Sequence, residues 1–196
     1  MKIFFRILFS AALLVFGIMF LGRSHADAAQ NWDLVTKQSQ VGFVAQQSGA
    51  DVEGVFEQYN AEISFDPKDL DTSHIRIEIE TNSVNTKSND RDKLIRSTAF
   101  FDSTNHPKAI FESFRFENVQ DNEFIAHGKL TMRGVTKNID LPFLASVDSK
   151  TLAASGGTQI SRLEYGIGSG QWLDTAVIGE MVQITFAVEG WPVGNN

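Results

Sequence analysis

The chain contains no cysteine, and several classes of chemistry fall away with it. Disulfides cannot hold the fold, no thiolate can serve as nucleophile or metal ligand, and no lipid can be carried on an N-terminal cysteine. Histidine is scarce. Beyond the first 26 residues there are three, His74, His106 and His127, on separate elements with no second ligand at metal spacing. No G-x-S-x-G elbow occurs. The run Gly166-Ile167-Gly168-Ser169-Gly170 lacks the Lys-Ser/Thr of a phosphate loop and precedes no helical pattern, so it reads as a turn. These shortages leave no catalytic group, no metal and no cofactor to expect. Glu78 and Glu80 share a strand face that points to water, and Arg91-Asp92 reads as helix-surface charge.

Positive charge is also in short supply, with 17 Lys and Arg against 24 Asp and Glu. The single long apolar run is Ile7 to Leu21, shorter than the roughly 20 residues a membrane span requires. It follows Lys2 and Arg6 and precedes the small-residue arrangements Ser24-His25-Ala26 and Ala26-Asp27-Ala28. That is the order of a cleavable secretory signal, expected over residues 1–26 with cleavage after Ala26 or Ala28. Its removal takes three basic residues and no acid, moving the net charge from −7 to −10. A chain this acidic offers no footprint for nucleic acid or an anionic membrane surface. No stable membrane insertion of the mature chain is expected, and residues 27–196 are read as one domain, without linker or repeat.

What the mature part has is period-two alternation. Ile75, Ile77 and Ile79 alternate with charged residues. So do Phe124, Ala126, Gly128, Leu130 and Met132 with Ile125, His127, Lys129 and Thr131, then Ile139, Leu141, Phe143, Ala145 and Val147, and finally Val182, Ile184, Phe186 and Val188, against mostly polar neighbours. Such runs are strands with one apolar face. Val41, Phe43 and Ala45 open the domain, and Val55, Tyr59, Ala61, Ile63 and Phe65 read as one face of a second strand. The phase slips between Phe111 and Phe114, as a β-bulge requires. Arg133-Gly134 suits a two-residue hairpin, and Asn122 and Gly156-Gly157 mark further turns. Ser88 to Arg96 reads as one short helix in a long connection. The fold class is all-β, with seven or eight antiparallel strands. A sandwich and a barrel both fit, and closure is preferred because it removes exposed edges.

Most of the eleven phenylalanines of the mature chain fall on inward phases. The inward set comprises Phe43, Tyr59, Ile63, Ile77, Phe111, Phe114, Phe116, Phe124, Leu130, Leu141, Phe143, Ile184 and Phe186. Periodicity leaves two outcomes open: a packed core, or a lined cavity in a barrel of about eight strands.

The ordered fragments resemble a known family. They begin with Trp32, Leu34, Ser39, Val41 and Phe43, then Gly54 and Phe56, Phe65-Asp66-Pro67 and Ser83-Val84-Asn85-Thr86. Arg91-Asp92, Leu94, Phe100-Phe101-Asp102, Pro107 and Phe111 follow, then the hairpin GKLTMRGVTK from Gly128 to Lys137, and last Arg162, Tyr165-Gly166-Ile167-Gly168 and Trp172. Together they resemble the YceI family of periplasmic lipid- or polyisoprenoid-binding proteins. The resemblance covers Trp32 to Glu189, with Gln38 and Lys93 where relatives often carry histidine. It implies an eight-stranded antiparallel lipocalin-like barrel with a hydrophobic pore lined by the thirteen residues above. It further implies a non-enzymatic protein that holds a long-chain isoprenoid or acyl lipid in the periplasm, for transport, storage or sequestration; a homodimer is compatible with this. The alternative from another class is a structural or interaction module with a filled core.

Overall fold

In the computed structural model, which describes residues 29–194, the alternating runs become strands. The expected signal over 1–26, with both cleavage positions, lies outside the described residues. The strands are β1 (Asn31–Leu34), β2 (Gln40–Gln47), β3 (Ala50–Phe56), β4 (Tyr59–Ser64), β5 (His74–Glu80), β6 (Val84–Asn85), β7 (Lys108–Gln120), β8 (Glu123–Met132), β9 (Val135–Val147), β10 (Leu152–Ser161) and β11 (Met181–Pro192). One α-helix, α1 (Asn89–Arg96), sits between β6 and β7.

The eleven segments make an eight-stranded closed antiparallel barrel because three staves are broken, β1/β2, β3/β4 and β5/β6. A 3-10 turn at Thr36–Gln38 separates β1 from β2, and β11 pairs with both halves: Gln183–Ala187 with β2, Gly190–Pro192 with β1. The ring closes where β1 meets β4, Asn31 opposite Ser64 and Trp32 opposite Ile63. At the other end the sheet runs β2-β3-β6, and α1 packs against β6 instead of a further strand. One end is therefore laced by hydrogen bonds and the other is covered by a helix.

The second broken stave corrects the sequence expectation. Val55 and Tyr59 do not share a face of one strand, because the chain breaks at Glu57-Gln58 and the phase slips there. Phe56 is buried on β3, while Tyr59, Ala61 and Ile63 point inward on β4. The hairpin at Arg133-Gly134 is as expected: Met132 faces Val135, and φ of 48° and 75° at the two turn residues matches a type I′ turn. The bulge in β7 is also present, with the register shifting between Ser113 and Arg115. Gly156 and Gly157 are not a turn. They lie inside β10, where a Cβ would run into the carbonyl of Pro142 or of Ile184. Glycine there lets three strands approach closely. The turn itself is built by Asp148, whose Oδ1 accepts from the amides of Lys150 and Thr151.

The laced end is solid. Phe65, Phe116, Phe124 and Phe143 meet with ring centroids 5.3–6.3 Å apart. Trp32 is buried in the same core and donates its Nε1–H to the Phe65 carbonyl at 3.0 Å. On the outer wall Glu78 is no free solvated carboxylate. It takes Lys108 at 2.5 Å and Arg76 at 2.7 Å, and these hydrogen bonds hold its pKa below the usual range.

Candidate functional site

The helix-covered end is hollow. A cavity of about 180 Å³ lies between β2, β3, β5, β7–β11, α1 and the Phe100-Phe101 loop. A smaller void of about 40 Å³ follows toward the laced end. Val41, Ile77, Phe111, Leu141 and Phe186 line both, forming a waist between them. Phe65 and Phe143 line only the inner void, so the aromatic cluster is its floor. Gln46 and Gln47 are the exposed residues of the outer lining, which places the mouth at the end of β2.

Ten of the thirteen expected pore residues line these spaces. Phe43, Leu130 and Ile184 border the outer cavity, Tyr59, Ile63 and Phe143 the inner void, and Ile77, Phe111, Leu141 and Phe186 both. Three do not. Phe116 and Phe124 are buried in the aromatic floor behind Phe143 and touch neither void. Phe114 is the extra residue of the β7 bulge and is 58% exposed, because the bulge turns its side chain out of the inward row. Gln38 and Lys93 are exposed and line neither space.

Strand alternation missed part of the wall. Phe56 escaped through the slip at Glu57-Gln58. Leu94 and Ile95 of α1, Phe100 and Phe101 after it, and Ile167 and Ile178 in the late connection escaped because they lie outside strands. The Phe100-Phe101 pair in a polar stretch was the signal available for that loop.

The polar groups at the site have definite partners. Asp92 is buried, not surface charge: its Oδ1 accepts from the Thr86 amide at 2.9 Å and hydroxyl at 2.6 Å. Arg91 grips the same threonine, donating from Nε to Oγ1 and from Nη2 to the carbonyl, both at 2.9 Å. Arg162 is 2% exposed and donates to the carbonyls of Ile167, Gly168, Trp172, Ile178 and Gly179 at 2.8–3.3 Å. Burial lowers its pKa, and Glu180 partly opposes that. This one side chain organises the connection between β10 and β11. Tyr59 lines the inner void with its hydroxyl buried and unpartnered among the described residues, and burial raises its pKa. Among the described residues no Asp or Glu lines either space.

Comparison with known proteins places these features in a family. A YceI-like domain profile matches residues 32–190. A UPF0312 protein of Azotobacter vinelandii is 28% identical over 189 residues, covering 91% of this chain and 95% of its own. Among solved structures, BcnA of Burkholderia cenocepacia superposes with a TM-score of 0.78 at 25% identity, over 80% of this chain and 99% of that one. A polyisoprenoid binding domain from Saccharophagus degradans shares the fold, with a TM-score of 0.65 at 16% identity, over 84% of this chain and 99% of its own.

Proposed function

Since the chain belongs to the YceI-like family, we propose that its barrel binds lipid: an exported protein that holds one long apolar tail in the hollow half and carries or sequesters it in the periplasm. The observation that carries this reading is the continuous apolar interior of the helix-covered end, open to water beside Gln46 and Gln47. An apolar cavity of about 150 Å³ holds a benzene-sized molecule, so the outer cavity takes about seven carbons of a tail, and a longer tail extends toward the mouth or past the waist into the inner void. Each buried methylene contributes about 0.8 kcal/mol. Seven buried carbons contribute roughly 6 kcal/mol gross, within the roughly 4–15 kcal/mol that association costs, and each further buried methylene adds to it. Affinity then comes from the tail, and isoprenoid and acyl chains are both suitable.

The lining suits the binding of an apolar chain. Its polar side chains are two amides, two arginines and, in the inner void, one tyrosine; no carboxylate, imidazole or serine is among them. The polyisoprenoid binding domain that shares the fold is in keeping with an isoprenoid or similar chain here. The export signal expected from the sequence and the chain's net negative charge fit a protein that diffuses through the space between two membranes.

Protein purified from its native compartment should release a long-chain lipid on organic extraction, read by mass spectrometry in near-stoichiometric amount. Repeated recovery of lipid-free protein that takes up neither prenyl nor acyl chains would refute the reading.

A further inference from the structure

We infer that Arg91 reads an anionic head group, so that the ligand is an amphiphile ending in a carboxylate or phosphate. This rests on the lipid-binding reading and narrows it. Among the described residues, two cations and no acid line the outer cavity, inside a chain of net charge −7. The two cations are not equivalent. Arg162 is buried and saturated by five carbonyls, so it has nothing left to offer. Arg91 lines the cavity and is only partly buried, so it joins the apolar space to water.

Its donors are only partly used. Nε and Nη2 bond to Thr86, and Nη1 has no hydrogen-bond partner among the described residues. None of the ion pairs among those residues involves Arg91. The nearest acid in the network is Asp92, and its Oδ1 is occupied by Thr86. Thr86 therefore clamps the arginine from one side and is itself clamped from below, fixing the guanidinium without neutralising it. A guanidinium so oriented matches the oxygens of a carboxylate or phosphate, and charge-assisted hydrogen bonds are the strong ones. The long tail occupies the cavity beneath, so the head is left at the water boundary, where Arg91 stands.

The test compares tails of equal length with and without charge: hexadecanoate against hexadecanol, and farnesyl phosphate against farnesol, by calorimetric titration of the folded chain. The wild type should bind each anion on the order of tenfold more tightly than its alcohol, with the ratio shrinking as salt is added. Arg91→Gln should bring the ratio close to one by weakening the anions more than the alcohols, and Arg91→Lys should keep part of it. A preference for one anion alone identifies the head group as carboxylate or phosphate. Equal binding of anion and alcohol by the wild type, or an undiminished ratio in a folded Arg91→Gln protein, overturns the assignment. Failure of all four compounds to bind overturns the lipid-binding reading and this one with it, a result distinct from equal binding.

Discussion

Arg162 and Tyr165, three positions apart, are both buried, yet substitution should have opposite effects at the two. Arg162 satisfies five carbonyls in the β10–β11 connection. Removing it leaves those acceptors without a donor, and breaking a buried charged network costs roughly 3–5 kcal/mol. Arg162→Ala should lower the midpoint of chemical unfolding accordingly. Arg162→Lys should rescue little, because an ammonium cannot reach five acceptors arranged around a planar fork. Tyr165 is 1% exposed with its hydroxyl unpartnered among the described residues, and burial, with Glu164 adding, pushes its pKa up to about 12 from an ordinary 10.0. The raised pKa means that the folded state resists ionisation. Its contribution is full below pH 10 and lost as pH rises from 10 to 12, because the unfolded tyrosine ionises first. Tyr165→Phe should therefore keep or raise stability at neutral pH by up to about 1 kcal/mol. It should also shallow the alkaline fall in stability between pH 10 and 12, as read by unfolding curves across that range.

Among the elements, legibility followed regularity. The Ile75–Ile79, Phe124–Met132 and Ile139–Val147 runs were readable because each keeps a single phase from end to end, and the hairpin at Arg133-Gly134 follows from local backbone preference. The errors cluster where the phase slips. At Glu57-Gln58 the stave breaks, so Phe56 and Tyr59 point inward from opposite parities. At the β7 bulge the slip is visible in the sequence, but not which phenylalanine it expels, and alternation alone places Phe114 inward. Gly156-Gly157 looked like a turn because glycine permits turns and close strand approach alike, and only the neighbouring strands decide between them. The parts of the wall supplied by α1 and the two long connections carry no periodicity at all. The floor, waist and most of the barrel wall can thus be read from alternation, while the part of the wall supplied by α1 and the connections cannot.

At the scale of the molecule the barrel is half filled and half hollow, so the packed-core and lined-cavity outcomes are each realised in one half. Deletions should cost differently in the two. Phe124→Ala opens a new hole in a close-packed aromatic cluster and should cost about 3–5 kcal/mol. Phe43→Ala only enlarges space that already exists, and should cost roughly half as much by the same reasoning, since little new cavity surface is created. Chemical denaturation of both variants decides this. The laced end, with its aromatic floor, supplies rigidity; the helix-covered end supplies room, bordered by a waist of five side chains. The most direct test of the account is calorimetric titration of hexadecanoate into the wild type and into Ala45→Phe, which fills the outer cavity from β2 and leaves the aromatic floor untouched. The account predicts one tail bound per wild-type barrel and none by a folded Ala45→Phe protein. Equal affinity in both would place the tail somewhere other than the cavity and contradict it.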